Sequence, residues 1–173
     1  MQDNQLADAA TIAPLTGLEH LDVDRNALAS LEPLTALRRL THVSLARNRA
    51  TSLAPLARLP ALVELYAPNN RVASAQRVAA LAGAAALLVL DVRGNAAAAG
   101  SGARDYFVFR LPRLRVLDGV AVTAACVAAA RARYAGRLTL EWLEDAAGRM
   151  QWNRRGPRVT CAIFATCGSG AAG

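Results

Sequence analysis

Leucine and other apolar residues recur along the chain in a fixed phase with asparagine. The pattern LxxLxLxxN occurs four times, with its asparagine at Asn26, Asn48, Asn70 and Asn95. Consecutive asparagines are therefore 22, 22 and 25 residues apart. A unit of this length, repeated at least three times, is typical of a solenoid in which each coil buries its apolar edge against the next.

The two halves of the repeat predict different local structures. The alternating Leu-x-Leu segment places its leucines on one side of a short strand, which predicts a parallel sheet on the concave side. The other half has an apolar residue at every third position and often a proline, such as Pro33 or Pro55. This spacing favours 3₁₀ turns on the convex side. Residues 71–81 are alanine-rich and belong to the longer repeat, so we expect a short α-helix there.

The asparagines also fix where the array starts. We expect each buried amide to hydrogen-bond backbone groups of neighbouring coils. Asn4 and Leu6 lie 22 residues before Asn26 and Leu28, so the chain begins in mid-repeat. An open solenoid end exposes unpaired strand and apolar surface. Either upstream repeats are missing or something else covers this edge, and truncation is the preferred interpretation.

A second motif comes after the repeats. Residues 103–119 read ARDYFVFRLPRLRVLDG. The 22-residue unit resembles the leucine-rich-repeat class found in a regulatory subunit of protein phosphatase 1, axonemal dynein light chain 1 and the A-prime protein of a spliceosomal particle. Residues 103–119 resemble the C-terminal cap of that class, roughly YRxYVxxxLPxLxxLDG, with Ala103 in place of the leading tyrosine. The matching cap residues are Arg104, Tyr106, Leu111, Pro112, Leu114, Leu117, Asp118 and Gly119. We expect Arg104, Arg110 and Arg113 on the solvated outer side of the cap.

These patterns divide the chain into three parts. We predict an α/β fold, a right-handed leucine-rich-repeat solenoid, over residues 4–119, with its cap at 103–119 and its convex side made of 3₁₀ and short helices. A helical extension occupies residues 120–148, where Thr123 and Thr139 are candidate N-caps of two helices. Its sequence is similar to the segment C-terminal to the cap in leucine-rich-repeat proteins of cilia. Residues 149–173 lose all periodicity and are interpreted as a tail or a gene-model artefact.

Composition narrows the class of protein. The net charge of +7 comes from 20 arginines and no lysine. Residues 1–100 hold nine arginines and eight acids, whereas residues 101–173 hold eleven arginines and five acids. Any nucleic-acid contact is thus expected through the arginine-rich C-terminal third.

The three cysteines lack metal-ligand spacing, the N-terminus does not resemble a signal peptide, and no apolar run is long enough to span a bilayer.

Candidate functional residues are the outward positions of the strands, which face the concave side. His20 and His42 are among these positions and lie near acids, but no tight metal-ligand motif accompanies them. Ser44 is not part of a nucleophile elbow. We therefore expect no metal, no cofactor and no catalysis. Tyr66 lies centrally among charged groups, as a protein-binding hot spot does. The predicted partner-binding residues are His20, Asp22, Asp24, His42, Ser44, Glu64, Tyr66, Asp91 and Arg93.

The resemblance implies a non-catalytic scaffold that binds a protein partner on its concave face. The ciliary similarity favours a cytoplasmic chain in a ciliary or axonemal complex. Two alternatives stay open, a ribonucleoprotein subunit in the nucleus and a phosphatase regulatory subunit. The sequence does not identify the partner.

Overall fold

The computed structural model describes Leu6 and residues 8–134. Strands of two or three residues alternate with short helices throughout. The strands are β1 His20–Asp22, β2 His42–Ser44, β3 Glu64–Tyr66, β4 Val89–Asp91, β5 Val116–Leu117 and β6 Val120–Ala121. The 3₁₀ helices are Ala9–Thr11, Glu32–Ala36, Ala54–Arg58, Ala80–Gly83 and Ala96–Ala98. The α-helices are α1 Ala75–Ala79, α2 Ala103–Arg110 and α3 Ala124–Tyr134.

The strands form one sheet in chain order. β1 to β5 are parallel and β6 is antiparallel to β5. The register advances by one repeat per strand, so that His20 pairs with His42 and His42 with Glu64. Glu64 then pairs with Val89. Equivalent positions of successive repeats therefore form columns across the sheet, and the predicted α/β solenoid with a parallel sheet is confirmed.

The core lies between the sheet and the convex helices. Each of the three-residue strands β1 to β4 contributes a buried central residue, such as Val43 or Leu65. The convex segments contribute leucines at every third position, as their spacing predicts. Pro33 and Pro55 lie in the first turn of their 3₁₀ helices, where a missing backbone N–H costs nothing. Between residues 71 and 81 the chain forms the expected α-helix, although α1 is only five residues long.

The repeat asparagines join the coils to one another. Asn70 is buried, and its side-chain oxygen accepts the N–H of Ala50 at 3.0 Å. Its amide nitrogen donates to the carbonyl of Leu45 in the preceding coil at 2.8 Å and to that of Ala67 in its own coil at 3.2 Å. Asn48 and Asn95 bond to the preceding coil and to their own coil in the same way. Asn26 accepts the N–H of Leu6 and donates to the carbonyls of Val23 and Asp24 in its own coil. Asn4 lies outside the described residues.

The residue before each asparagine has a left-handed backbone. Arg25, Arg47 and Asn69 have φ of 55° to 56°, and Gly94 has φ of 70°. Glycine adopts this conformation without steric cost and asparagine tolerates it, whereas a side chain such as that of arginine costs about 1–2 kcal/mol there. At Gly94 a Cβ would also overlap the side-chain oxygen of Asn69. The turn therefore requires glycine in the fourth repeat and tolerates larger residues in the first three.

The cap covers the last coil. Phe107 and Val108 of α2 are buried against the core. Asp118 and Gly119 both have positive φ, as a two-residue hairpin turn of type I′ requires, and they connect β5 to β6.

Arg104 of the cap departs from the sequence pattern, which predicts it on the solvated outer side. The residue is partly buried, because its guanidinium reaches back to the two terminal strands. Its donors bond to the carbonyls of Leu117, Val120 and Ala121 at 2.9, 3.3 and 3.4 Å. Arg104 therefore ties helix α2 to the hairpin that closes the sheet.

Helix α3 packs against α2 at the end of the array. The hydroxyl of Thr123 accepts the N–H of Cys126 at 3.3 Å, which is the predicted N-cap bond. The hydroxyl of Tyr134 donates to the carbonyl of Gly102 at 3.2 Å. The helix predicted after Thr139 and the predicted tail at 149–173 lie outside the described residues.

Replacing a repeat asparagine tests the joints between coils. Asn70→Ala leaves a buried N–H and two carbonyls without the side-chain partner, so we expect the free energy of unfolding in urea to fall by about 3 kcal/mol. Asn69→Gly at the neighbouring exposed, left-handed position is the matched control, with an expected change of less than about 0.5 kcal/mol. If both variants lost the same free energy of unfolding, the side-chain hydrogen bonds of Asn70 would not contribute to stability as we expect.

Candidate functional site: the concave sheet

The first column of the concave sheet contains two stacked histidines and an acid. The rings of His20 and His42 are 4.3 Å apart with an interplanar angle of 22°. His42 Nε2 lies 3.5 Å from a carboxylate oxygen of Glu64, and His42 Nδ1 lies 2.8 Å from the hydroxyl of Thr41. Thr41 in turn donates to the carbonyl of Glu19 at 2.9 Å. The His42 ring is therefore held on both sides in one orientation.

Tyr66 is the exposed aromatic residue at the centre of the sheet. It lies in the second column of the sheet, which also contains Asp22, Ser44 and Asp91. The residue is 37% exposed. The hydroxyl donates to the second carboxylate oxygen of Glu64 at 3.0 Å. This hydrogen bond, with burial and the charges of Glu64 and Asp91, raises the pKa of Tyr66 above its ordinary value. Glu64 thus fixes both Tyr66 and His42 before any partner arrives.

Asp24 and Ser44 bond to each other. The Ser44 hydroxyl donates to Asp24 at 2.6 Å, and the N–H of Ala46 donates to the same oxygen at 2.7 Å. The serine is thereby engaged by a carboxylate and not by a histidine. Asp22 is exposed, and it accepts the N–H of Asp24 at 3.1 Å. These groups shape the surface near β1 and β2 and do not form a nucleophile–base pair.

Asp91 departs from the expected exposure. Strand alternation places it on the concave side, yet it is only 5% exposed because the Arg93 guanidinium covers it. Arg93 Nε and Nη2 both donate to the carboxylate, and so does the Arg93 backbone N–H. Burial raises the pKa of Asp91, but the hydrogen bonds and charge of Arg93 prevail, so this pKa lies below its ordinary value.

The sequence predicts Asp118 only as a cap residue, but it also extends the second column. Its carboxylate accepts the N–H of Val92 at 2.9 Å, immediately beyond Asp91. Burial raises the pKa of Asp118, and the negative charge of Asp91 adds to this rise. The Val92 N–H and the charges of Arg104 and Arg93 act in the opposite direction. The aligned register of the LDG motif with the repeat strands was the signal that could have revealed this position.

The concave sheet presents an aromatic ring, two imidazoles and several charged groups on neighbouring strands. Within the part of the chain that the structure describes, no three or more His, Cys, Asp or Glu side chains gather as potential metal ligands. Across the same residues, no helix is both long and apolar enough to cross a membrane.

Comparison with known proteins gives the family. The sequence profile of the leucine-rich repeat family matches residues 11–147, and the chain belongs to that family. Leucine-rich repeat proteins are typically non-catalytic interaction modules. No curated protein sequence matches the chain.

Solved structures share the fold. A chain in the crystal structure of the Drosophila melanogaster SNF/U2A′ complex is 21% identical with a TM-score of 0.66, covering 76% of this chain and 77% of that one. An internalin, inlF of Listeria monocytogenes, is 26% identical with a TM-score of 0.56, and the match covers 66% of this chain and 31% of the internalin. A Leptospira interrogans leucine-rich repeat protein is 23% identical with a TM-score of 0.54, covering 66% of this chain and 28% of that protein.

The Asp91–Arg93 pair predicts a pH-dependent contribution to stability. A carboxyl whose folded-state pKa is lowered stabilises the fold above its ordinary pKa, 3.8, and this contribution is lost as the pH falls through the lower, folded-state pKa. Arg93→Met should therefore lower the melting temperature at pH 7, and its difference from the parent should shrink below about pH 4. Arg38→Met, at an exposed position away from Asp91, is the control. A difference that stays constant between pH 7 and pH 3 would contradict the pairing.

Proposed function

We propose that this chain is a non-catalytic scaffold that docks a protein partner on its concave sheet. The observation that carries the proposal is the cluster of Tyr66, Glu64 and His42, in which both oxygens of one carboxylate hold two rings in place. Partly exposed aromatic residues that are already fixed lose little conformational entropy on binding, as hot-spot residues do. Leucine-rich repeat membership supports the same class of function.

The dimensions of the sheet suit one segment of a partner. Five parallel strands at a spacing of about 4.8 Å make a surface about 20 Å across. A helix of about 13 residues, at 1.5 Å per residue, covers that length. Each strand is at most three residues long, so the surface accommodates one helix or one extended segment and no wider body. We therefore propose that the partner contributes a single helix or strand.

The biological setting is a narrower proposal. A cytoplasmic, ciliary or axonemal complex is supported by the sequence similarity of the segment after the cap to the corresponding segment of some ciliary leucine-rich-repeat proteins. A ribonucleoprotein subunit is the second candidate, supported by the arginine-rich C-terminal third and by the shared fold with the chain of the SNF/U2A′ complex. A phosphatase regulatory role has the repeat class alone behind it, and a fold does not determine a function.

Affinity purification of the tagged full chain followed by mass spectrometry separates these settings. Axonemal or motor components, ribonucleoprotein subunits and a phosphatase catalytic subunit give disjoint sets of co-purified proteins. The first set supports the ciliary proposal, and either of the other two replaces it.

Removing the central aromatic ring tests the concave face itself. We expect Tyr66→Ser to reduce recovery of the specific co-purified protein at least about tenfold, as loss of a hot-spot tyrosine does. Leu15→Ser is the matched control, because Leu15 is 47% exposed and comes after the 3₁₀ helix Ala9–Thr11, outside the sheet. The concave-face assignment would be overturned if both variants reduced recovery of the partner equally, or if neither variant reduced it.

A further inference from the structure

Three exposed arginines come directly after two neighbouring strands of the concave sheet, Arg47 and Arg49 in one coil and Arg71 in the next. Arg47, Arg49 and Arg71, here named the turn ridge, come after strands β2 and β3 at the turns that contain the repeat asparagines. The ladder between coils fixes their backbones: the N–H of Arg47 donates to Pro68, that of Arg49 to Leu28, and that of Arg71 to Ala50, each at 2.9 Å. All three residues are exposed.

The guanidinium groups of the turn ridge have no partner among the described residues. Three other arginines of the repeats are engaged: Arg58 with Glu32, Arg77 with the carbonyl of Thr51, and Arg93 with Asp91. Asp24 lies at the same edge as the turn ridge, but its carboxylate accepts from Ser44 and Ala46. Within the described chain, these three positive charges thus remain uncompensated, and they lie on two adjacent coils whose strands are about 4.8 Å apart.

Arg47 has the left-handed backbone of the repeat turn. Its φ is 56°, and the equivalent residues Arg25, Asn69 and Gly94 also have positive φ. An arginine in this conformation costs stability that glycine would recover. Glycine can therefore replace Arg47 and remove its charge without cost to the fold.

We propose that the turn ridge binds an acidic peptide segment of the protein that docks on the concave sheet. This inference rests on the proposed function and specifies the chemistry of the partner at the edge of the same surface. Exposed carboxylates of a peptide can pair with all three guanidinium groups while an adjoining apolar part covers the Tyr66 ring. Guanidinium groups are suited to carboxylates because their donors match both oxygens.

A nucleic acid fits this edge less well. The concave surface beside the turn ridge presents Asp22 and Glu64, which repel a continuous polyphosphate. Binding of single-stranded nucleic acid also uses aromatic rings as stacking platforms. Tyr66 is the aromatic side chain on the described concave sheet apart from the two histidines, and its hydroxyl is bonded to Glu64. A short acidic segment needs no stacking platform, and its few carboxylates can lie on the turn ridge while apolar residues cover the sheet beside Asp22 and Glu64.

The test measures binding of fluorescein-labelled decaglutamate to the full chain by fluorescence anisotropy, in about 50 mM NaCl so that exposed charges are weakly screened. We expect Arg47→Gly/Arg49→Ala/Arg71→Ala to weaken binding about tenfold, as the loss of three exposed ion pairs predicts. Arg38→Ala/Arg39→Ala/Arg131→Ala is the control, because it removes the same charge from exposed positions elsewhere. Its binding should stay within about twofold of the parent.

Arg47→Gly alone keeps the test independent of folding. This change relieves the left-handed arginine, so the urea midpoint should stay the same or rise while decaglutamate binding falls. If the two triple variants weakened decaglutamate binding equally, the proposal would be overturned, because the net charge of the chain would then explain the binding. Tighter binding of a dT15 oligonucleotide, lost with the same three arginines, would replace the acidic peptide by a nucleic acid. None of these failures affects the Tyr66→Ser experiment, which tests the concave face separately.

Discussion

The buried asparagine amide is the interaction on which this structure depends. A solenoid coil turns sharply after each strand, and the turn leaves backbone groups that the strand ladder does not reach. One carboxamide offers an acceptor and two donors, so Asn70 satisfies an N–H and two carbonyls across two coils. Among the described residues, no buried side-chain nitrogen or oxygen lacks a partner. Because each amide joins its own coil to the one before it, the same hydrogen bonds stabilise both the turn within a coil and the stacking of successive coils.

The functional surfaces result from that stacking. A constant register brings equivalent strand positions into columns, and the columns bring His42, Glu64 and Tyr66 within contact of one another. The same register places Arg47, Arg49 and Arg71 on adjacent coils at the edge of the sheet. One side of each coil thus supplies a fixed aromatic and acidic surface, and the turn supplies a row of positive charges. A partner with an apolar segment and an acidic segment would meet both.

The sequence predicted the features that depend on period and missed those that depend on side-chain choice. Leucine spacing was sufficient to predict the parallel sheet and the 3₁₀ segments, and the alanine-rich, longer third repeat predicted the short helix α1. The burial of Asp91 was not predictable from alternation, because it results from Arg93 folding back over the carboxylate. Arg104 was expected at the surface, yet its guanidinium reaches the carbonyls of the terminal strands. These contacts are set by the path of individual side chains across coils, which no repeat pattern encodes.

Amide hydrogen exchange of the full chain tests the central claim most directly. The N–H groups of Leu28, Ala50 and Val72 donate to side-chain oxygens of the next repeat's asparagine, outside the strand ladder. If these amides join the coils, they should exchange as slowly as strand amides such as those of Val43 and Leu65, since both open only with the array. Exchange as fast as that of exposed turn residues would contradict the account.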